Sequence, residues 1–334
     1  MNDSIQLAHG GGGLMTRDFV RAEVLTRFGS SALKSLPDAA TLSVPGRDIV
    51  FTSDSFVVSP LEFPGGNIGS LAVHGSVNDV AVAGGMPLWL SLCLIMEEGL
   101  PRSVLGGILD SVSAAAGSCG IEVVTGDTKV VERGKCDRLY INTACIGRRL
   151  ENFNLSTDNI HPGDMVLVSG PVGDHGMAVM AVRAGIDLSD GPRSDSGPVH
   201  RLVLAAQPFA KDVRFMRDPT RGGVAAVLNE AMEKKPADIV LREDSVPVSP
   251  KTRAITEMLG VDPLHSACEG RVILICGPGS ADAILGAWRK LPEGAGAAQI
   301  GEVTSGRGMV LIETITGSRR IVDVPRGELL PRIC

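Results

Sequence analysis

Aromatic residues are scarce in this chain: one tyrosine, two tryptophans and eight phenylalanines make up only 3% of 334 positions. With few rings to fill a core, Val, Ile, Leu and Ala must form the layers. Charge of one sign is equally lacking, since 32 Lys+Arg stand against 38 Asp+Glu and no block of like charges occurs. A nucleic-acid partner is therefore excluded. No long apolar run survives inspection either. Val80 to Met96 is the best candidate, but Gly84, Gly85 and Pro87 interrupt it, and neither half reaches the roughly 20 residues a bilayer requires. No membrane span is expected. The opening MNDSIQLAHGGGG has neither the basic nor the apolar region of a secretory signal, so a cytoplasmic location with the seven cysteines reduced is expected. No C-x-x-C pair is present, so a zinc site is not indicated.

What is abundant is glycine, at 41 residues, within a chain that is 44% hydrophobic. Strand, Gly/Asp turn and helix alternate in both halves, a grammar of two mixed α and β domains. A strand is expected over 48–58, broken at Ser53-Asp54-Ser55, followed by a helix from Asn67 to about Ala83 that the Gly84-Gly85 pair stops. Further strands are read at Leu88 to Met96, at 121–128 with a terminal Gly-Asp turn, at Arg138 to Ile146 and at 271–277. Helices are read from Pro101 to about Gly117, from Met177 and over 221–234. The polar, Pro- and Gly-bearing stretch 151–164 marks the boundary. The expected division is 1–155, 156–322 and a tail, 323–334, that ends in Cys334.

Several motifs have the residue types for phosphate and acid–base chemistry. His9-Gly10-Gly11-Gly12-Gly13 offers unobstructed backbone N–H groups for an anion. It is not a Walker A loop, because no Lys-Ser/Thr follows, and the chain has no G-x-G-x-x-G. Asp54, Asp79 and Asp127 each sit where a backbone end can aim a carboxylate into a cleft, and hard oxygen ligands of this kind suit Mg2+ with nucleotide phosphates. Taken singly, each is more readily read as a turn or cap residue, and only their joint placement points to a metal. Lys129 follows Asp127 by two positions, on the same strand face. It is open to both a phosphate or proton-transfer role and a plain surface ion pair. Glu269 precedes Gly270 and a strongly apolar strand, where partial desolvation raises a carboxyl toward general-base usefulness. A turn glutamate fits the same spacing. RDPTRGG (217–223) combines two guanidinium groups with a helix start, a workable anion site, or else a simple cap at Thr220. Asp174-His175 occupies another turn-to-helix junction. Cys334 stands apart as a thiol on the last residue of a Pro- and Gly-containing tail, which reaches about 25 Å over eight residues.

Taken together, FTSDSFVVSPLEFPGGNIGSLAVHGSVNDVAVAGG, VVTGDTKVV, RDPTRGG and the terminal PRIC resemble the HypE family of hydrogenase maturation proteins, carbamoyl dehydratases of the aminoimidazole ribonucleotide synthetase-like superfamily. The resemblance covers nearly the whole chain, and the terminal PRIC is its most specific part. It implies a two-domain α+β fold, an α/β sandwich in which N-domain strands form the barrel of a homodimer. It further implies an ATP and Mg2+ cleft beneath Gly10, Gly11, Gly12 and Gly13, with Asn78, Thr128 and Arg221 at the nucleotide and Asp54, Asp79 and Asp127 on the metal. The carbamoyltransferase HypF is then expected to load Cys334 as an S-carboxamide. Dehydration beside Lys129 and Glu269 gives a thiocyanate, and the cyano group passes to iron on a HypC–HypD scaffold complex for a [NiFe]-hydrogenase. Other ATP-using branches of the superfamily compete with this reading, including thiamine monophosphate kinase, selenophosphate synthetase and the purine-pathway synthetase. The selenium branch calls for a reactive Cys near the glycines, whereas the first cysteine here is Cys93. A non-catalytic module that docks a partner through its tail is the alternative from a different class.

Overall fold

The computed structural model describes residues 13–19, 21–22, 40–44, 47–186 and 191–324. Gly10, Gly11, Gly12 and Cys334 lie outside them. Gly13 opens a short helix, α1 (Gly13–Phe19). Strands β1 (Ala40–Val44) and β2 (Arg47–Phe56) follow, then a small hairpin of β3 (Glu62–Phe63) and β4 (Gly66–Asn67). Helix α2 (Ile68–Val82), β5 (Gly85–Glu97), α3 (Arg102–Cys119), β6 (Glu122–Val131) and β7 (Leu139–Arg149) complete the N-terminal part. Its sheet has the order β1-β2-β7-β5-β6, so β6 is an edge strand.

Helix α2 starts where Asn67 accepts the N–H groups of Gly69 and Ser70 while Ser70 Oγ accepts from the Asn67 N–H, a reciprocal capping box. Replacing such a cap by Ala costs about 1 kcal/mol. The helix shows no polar face, because it is buried all round. Val73, Val77 and Val80 pack with Val50, Leu90 and Cys145 of the sheet, while Ala81 and Val82 enter the core of the C-terminal part beside Leu167, Leu202 and Leu274. The helix is thus the axle between the two sheets.

The second half supplies β8 (Met165–Val168), α4 (Asp174–Arg183), α5 (His200–Ala206), β9 (Val213–Arg217), α6 (Gly223–Met232), β10 (Ala237–Arg242), α7 (Pro250–Leu259), β11 (Ile273–Cys276), α8 (Pro278–Trp288), β12 (Ala298–Ser305), β13 (Val310–Glu313) and β14 (Arg319–Ile321). Seven strands form one sheet, ordered β14-β13-β10-β12-β8-β11-β9. Its neighbours are antiparallel except β10 and β13. Alternate residues of one strand serve opposite cores. Ile273 and Ile275 face α6 in one cluster, and Leu274 and Cys276 face α5 and α8 in the other. Sheets covered on both faces need apolar residues at every position, which is why ILIC carries no alternation.

Two expected breaks are absent. Strand β2 runs unbroken through Ser53-Asp54-Ser55, because β7 pairs each of these residues, Asp54 with Thr143 among them. Likewise β6 continues past Gly126-Asp127 to Val131 along β5. In both places polar residues mark which face is wet, and the ladder itself is intact.

Candidate active site

The site is built where α2, the end of β2 and the segments leading into α6 and β11 meet. Asp54 lies on the face of the N-terminal sheet that carries α2, and its carboxylate is 3.3 Å from Ser76 Oγ of that helix. Ser76 Oγ in turn lies 2.7 Å from Thr143 Oγ1. Asp79, one turn further along α2, accepts a 2.7 Å hydrogen bond from Thr52 Oγ1. From the C-terminal side come Asp218, Thr220, Arg221 and Glu269. All of these except Thr143, Ser76 and Thr52 line one small cleft of about 50 Å³, floored by Phe56 and Gly75.

Glu269 is the most buried acid of the set, 2% exposed, and its Oε1 has no hydrogen-bond partner among the described residues. Burial first, and then the nearby Asp218 and Asp195 charges, push its carboxyl well above the usual carboxylate range. Arg221 opposes that shift. The backbone of Glu269 is fixed on both sides. Its N–H donates to Asp195 Oδ1 at 3.1 Å, and its carbonyl accepts from Asn78 Nδ2 at 3.1 Å. Gly270 must be glycine, because a Cβ there would stand 2.0 Å from the Asp195 carbonyl oxygen.

RDPTRGG forms the turn into α6. Gly222 and Gly223 both have positive φ, at 79° and 62°, and a Cβ on Gly223 would meet the Leu264 and Ser266 carbonyl oxygens at 2.5 and 2.6 Å. Residues with a Cβ do not fit here. Helix α6 has no side-chain cap; its Gly223 N–H donates to the Thr220 carbonyl at 3.0 Å, which leaves the later N–H groups of its first turn as the ones suited to an anion beside Arg221. Arg217 is engaged by Glu230 at 2.9 Å.

Asp127, Thr128 and Lys129 are elsewhere. In register, Asp127 pairs with Cys93, Cys93 with Asn142 and Asn142 with Ser55. That row occupies the face opposite Asp54, and β6 is three strand spacings from β2, about 14 Å. Lys129 Nζ lies 2.6 Å from Asp127 Oδ2, and the Thr128 N–H donates to Asp127 Oδ1 at 2.8 Å. These contacts hold the Asp127 carboxyl below the usual range, Lys129 contributing most. The three aspartates do not converge within the chain, and among the described residues no three His, Cys, Asp or Glu side chains are grouped to hold a metal. Asp54 and Asp79 do share the cleft, and two hard carboxylate donors fit a Mg2+ whose other positions are filled by phosphate and water.

Asn78 faces the protein interior. Its Nδ2 donates to the Gly197 and Glu269 carbonyls and its Oδ1 accepts the Val199 N–H at 2.8 Å. His175 is a buried joint, 2.8 Å from Ser194 Oγ and edge-on to Phe63. Asp195 and Asp218 carry little signal of their own in the sequence. Asp218 lies inside RDPTRGG, between two arginines with the stronger anion-binding signature, and Asp195 sits in a polar stretch, 187–198, that reads as a connection.

Two family models cover most of the chain. The AIR synthase related protein N-terminal domain matches residues 37–149 and the corresponding C-terminal domain matches residues 161–313. The carbamoyl dehydratase HypE of Rhizobium leguminosarum bv. viciae is 44% identical over 335 residues, covering 100% of this chain and 96% of its own length. A chain in the crystal structure of a HypE–HypF complex superimposes with a TM-score of 0.87 at 40% identity, covering 92% of this chain and 99% of that one. HypE crystallised with ATP superimposes with a TM-score of 0.83 at 40% identity, covering 99% of this chain and 100% of that one.

Proposed function

Because this chain belongs to the family of HypE carbamoyl dehydratases, we propose that it uses ATP to dehydrate an S-carboxamide on Cys334 to a thiocyanate, the source of the cyanide ligand in [NiFe]-hydrogenase maturation. The observation that carries this reading is the cleft itself: Asp54, Asp79, Asp218, Arg221 and Glu269 arrive from two sheets at one small space. A relative crystallised with ATP supports the nucleotide, and another crystallised as a HypE–HypF complex supports HypF as the partner that loads the cysteine.

The chemistry explains the residue types. The carbonyl oxygen of a thiocarbamate is a poor leaving group. Attack of that oxygen on the γ-phosphoryl group releases ADP and converts it into a phosphate ester. The C–O bond then breaks, its electron pair leaving with phosphate, and the two N–H protons are lost as the C≡N bond forms. Asp54 and Asp79 would hold Mg2+, which supplies charge neutralisation for the phosphates. Arg221 and the first turn of α6 bind the phosphoryl oxygens. Glu269, buried and with raised proton affinity, takes up a proton from the amide nitrogen, and Lys129 serves the second transfer. A narrow, dry cleft protects the phosphorylated species from water. The backbone N–H groups of Gly10 to Gly13 would add phosphate contacts.

The position of Asp127 and Lys129 fits a homodimer in which a second protomer brings its β6 to the cleft. The face of the N-terminal sheet opposite α2 presents Phe51 at 37%, Trp89 at 46% and Ile95 at 40% exposure, apolar surface that supports a dimerisation face there. Among the described residues no helix is long and apolar enough to cross a membrane, and reduced thiols suit a cytoplasmic site of action with HypC–HypD receiving the cyano group. Replacement of Cys334 by Ala tests the assignment. Complete loss of dehydration is expected, and activity that survives the change moves the protein to a small-molecule kinase or synthetase of the same fold.

A further inference from the structure

The loop 194–199 belongs to the C-terminal half, yet α2 of the N-terminal half grips it at two points one turn apart. His74 Nδ1 lies 3.0 Å from Ser196 Oγ. Asn78 Nδ2 donates to the carbonyls of both Gly197 and Glu269 at 3.1 Å, and Asn78 Oδ1 accepts the Val199 N–H at 2.8 Å. A third grip comes from the β3–β4 hairpin, where the Ser194 N–H donates to the Pro64 carbonyl at 2.7 Å. The loop passes this constraint on to Glu269. Asp195 Oδ1 accepts the Glu269 N–H, the Gly197 N–H donates to the Glu269 carbonyl at 3.3 Å, and the Asp195 carbonyl leaves no room for a Cβ at residue 270. Behind the loop, Arg271 Nε sits 3.4 Å from Asp195 Oδ2, and the same guanidinium reaches Asp174 at 3.9 Å.

We infer that Asn78 is a positioning residue which, with Asp195, clamps the main chain of Glu269 so that its carboxyl stays fixed relative to the Asp79 carboxylate on the next residue of α2. The inference rests on the reading of Glu269 as a catalytic group. Asn78 is fully buried, and its amide oxygen and both of its amide-nitrogen bonds go to protein backbone. Asp79 points into the cleft while Asn78 points into the domain junction, so one turn of α2 sets both carboxyl groups at once. Catalysis is sensitive to misplacement on the scale of 1 Å, and a strut of this kind removes that freedom.

The experiment compares single-turnover conversion of the carbamoylated full-length protein, and its affinity for ATP, in five variants. Asn78→Ala lowers the conversion rate at saturating ATP by about 10- to 100-fold, as expected for a displaced reacting group, and leaves the Kd for ATP within about twofold. Asp195→Ala does the same, whereas Asp195→Asn, which keeps an acceptor for the Glu269 N–H, restores most of the rate. This pair carries the test if Asn78→Ala does not fold. Combining Asn78→Ala with Asp195→Ala costs no more than the worse single change, because both act through one clamp. An unchanged rate in Asn78→Ala, or a weakened ATP affinity at unchanged rate, overturns the inference and returns Asn78 to the nucleotide shell. Full activity in Glu269→Gln overturns the reading of Glu269 itself. That outcome is distinct from an inactive Glu269→Gln beside a fully active Asn78→Ala.

Discussion

Lys129 holds Asp127 at 2.6 Å on the face of the N-terminal sheet that points away from Asp54, so one protomer cannot bring all the candidate groups together. A site shared between two protomers predicts complementation. When Asp54→Asn and Lys129→Ala chains, each inactive alone, are coexpressed, one site of every mixed dimer is intact. About a quarter of the parental activity should return under random pairing. Absence of any recovery in a population shown to contain mixed dimers would place both residues in one protomer's site, or Lys129 outside it.

Asp79 is held in the cleft by Thr52 Oγ1 at 2.7 Å. Asp79→Asn should weaken ATP binding in the presence of Mg2+ by at least about tenfold, since a carboxylate donor to a hard cation is lost. Thr52→Val, which keeps the Asp79 carboxylate and removes only one hydrogen bond to it, should weaken it less than Asp79→Asn does. Isothermal titration with and without Mg2+ separates the two. Equal affinity in the absence and presence of the metal for the parent protein would remove the metal role from Asp79.

Glu269 and Lys129 are assigned to proton transfer and not to nucleotide binding. Glu269→Gln and Lys129→Ala should therefore bind ATP with affinity close to the parent's and fail at dehydration. The measurement is Kd for ATP beside the rate of water loss from the carbamoylated cysteine. A large rise in Kd for either variant would move that residue into the phosphate or metal shell.

His74 makes the junction acid-labile. Burial, assisted by the neighbouring His200 charge, lowers its pKa from 6.5 to about 4. The unfolded chain therefore binds the proton more readily than the native protein between those values. Stability contributed by neutral His74 is present above about pH 6.5 and is lost as pH falls toward 4, by about 3 kcal/mol in all. Denaturant unfolding of the parent and of His74→Gln at pH 7 and pH 4.5 tests this. The parent should lose more stability on acidification, and equal losses would show that His74 is not the titrating group.

The fold was legible where periodicity carried it. The stretch from Asn67 to about Ala83 reads as a helix because small and aliphatic residues recur at helical spacing until the Gly84-Gly85 pair, and it forms α2 (Ile68–Val82); the apolar runs at Arg138 to Ile146 and 271–277 read as strands and contain β7 and β11 in large part. Polar residues inside strands were the weak point. Ser53-Asp54-Ser55 looks like a break because sequence does not show that β7 pairs all three residues. In the site, the residue types of Asp54, Asp79 and Glu269 pointed to chemistry, but their convergence is a product of tertiary packing. Asp195 was invisible for the same reason, since its importance lies in a single backbone hydrogen bond to a residue 74 positions away. Asn78 beside Asp79 showed the converse, because adjacent residues on a helix face different neighbours and need not share a task.

The central claim is that the terminal thiol carries the substrate. The direct measurement is the intact mass of the C-terminal peptide after incubation with carbamoyl phosphate, ATP, Mg2+ and HypF, sampled with hydrolysable and with non-hydrolysable ATP. The account predicts a carbamoyl addition at Cys334 followed, only with hydrolysable ATP, by loss of one water. An unmodified Cys334 in the presence of demonstrably active HypF would contradict it.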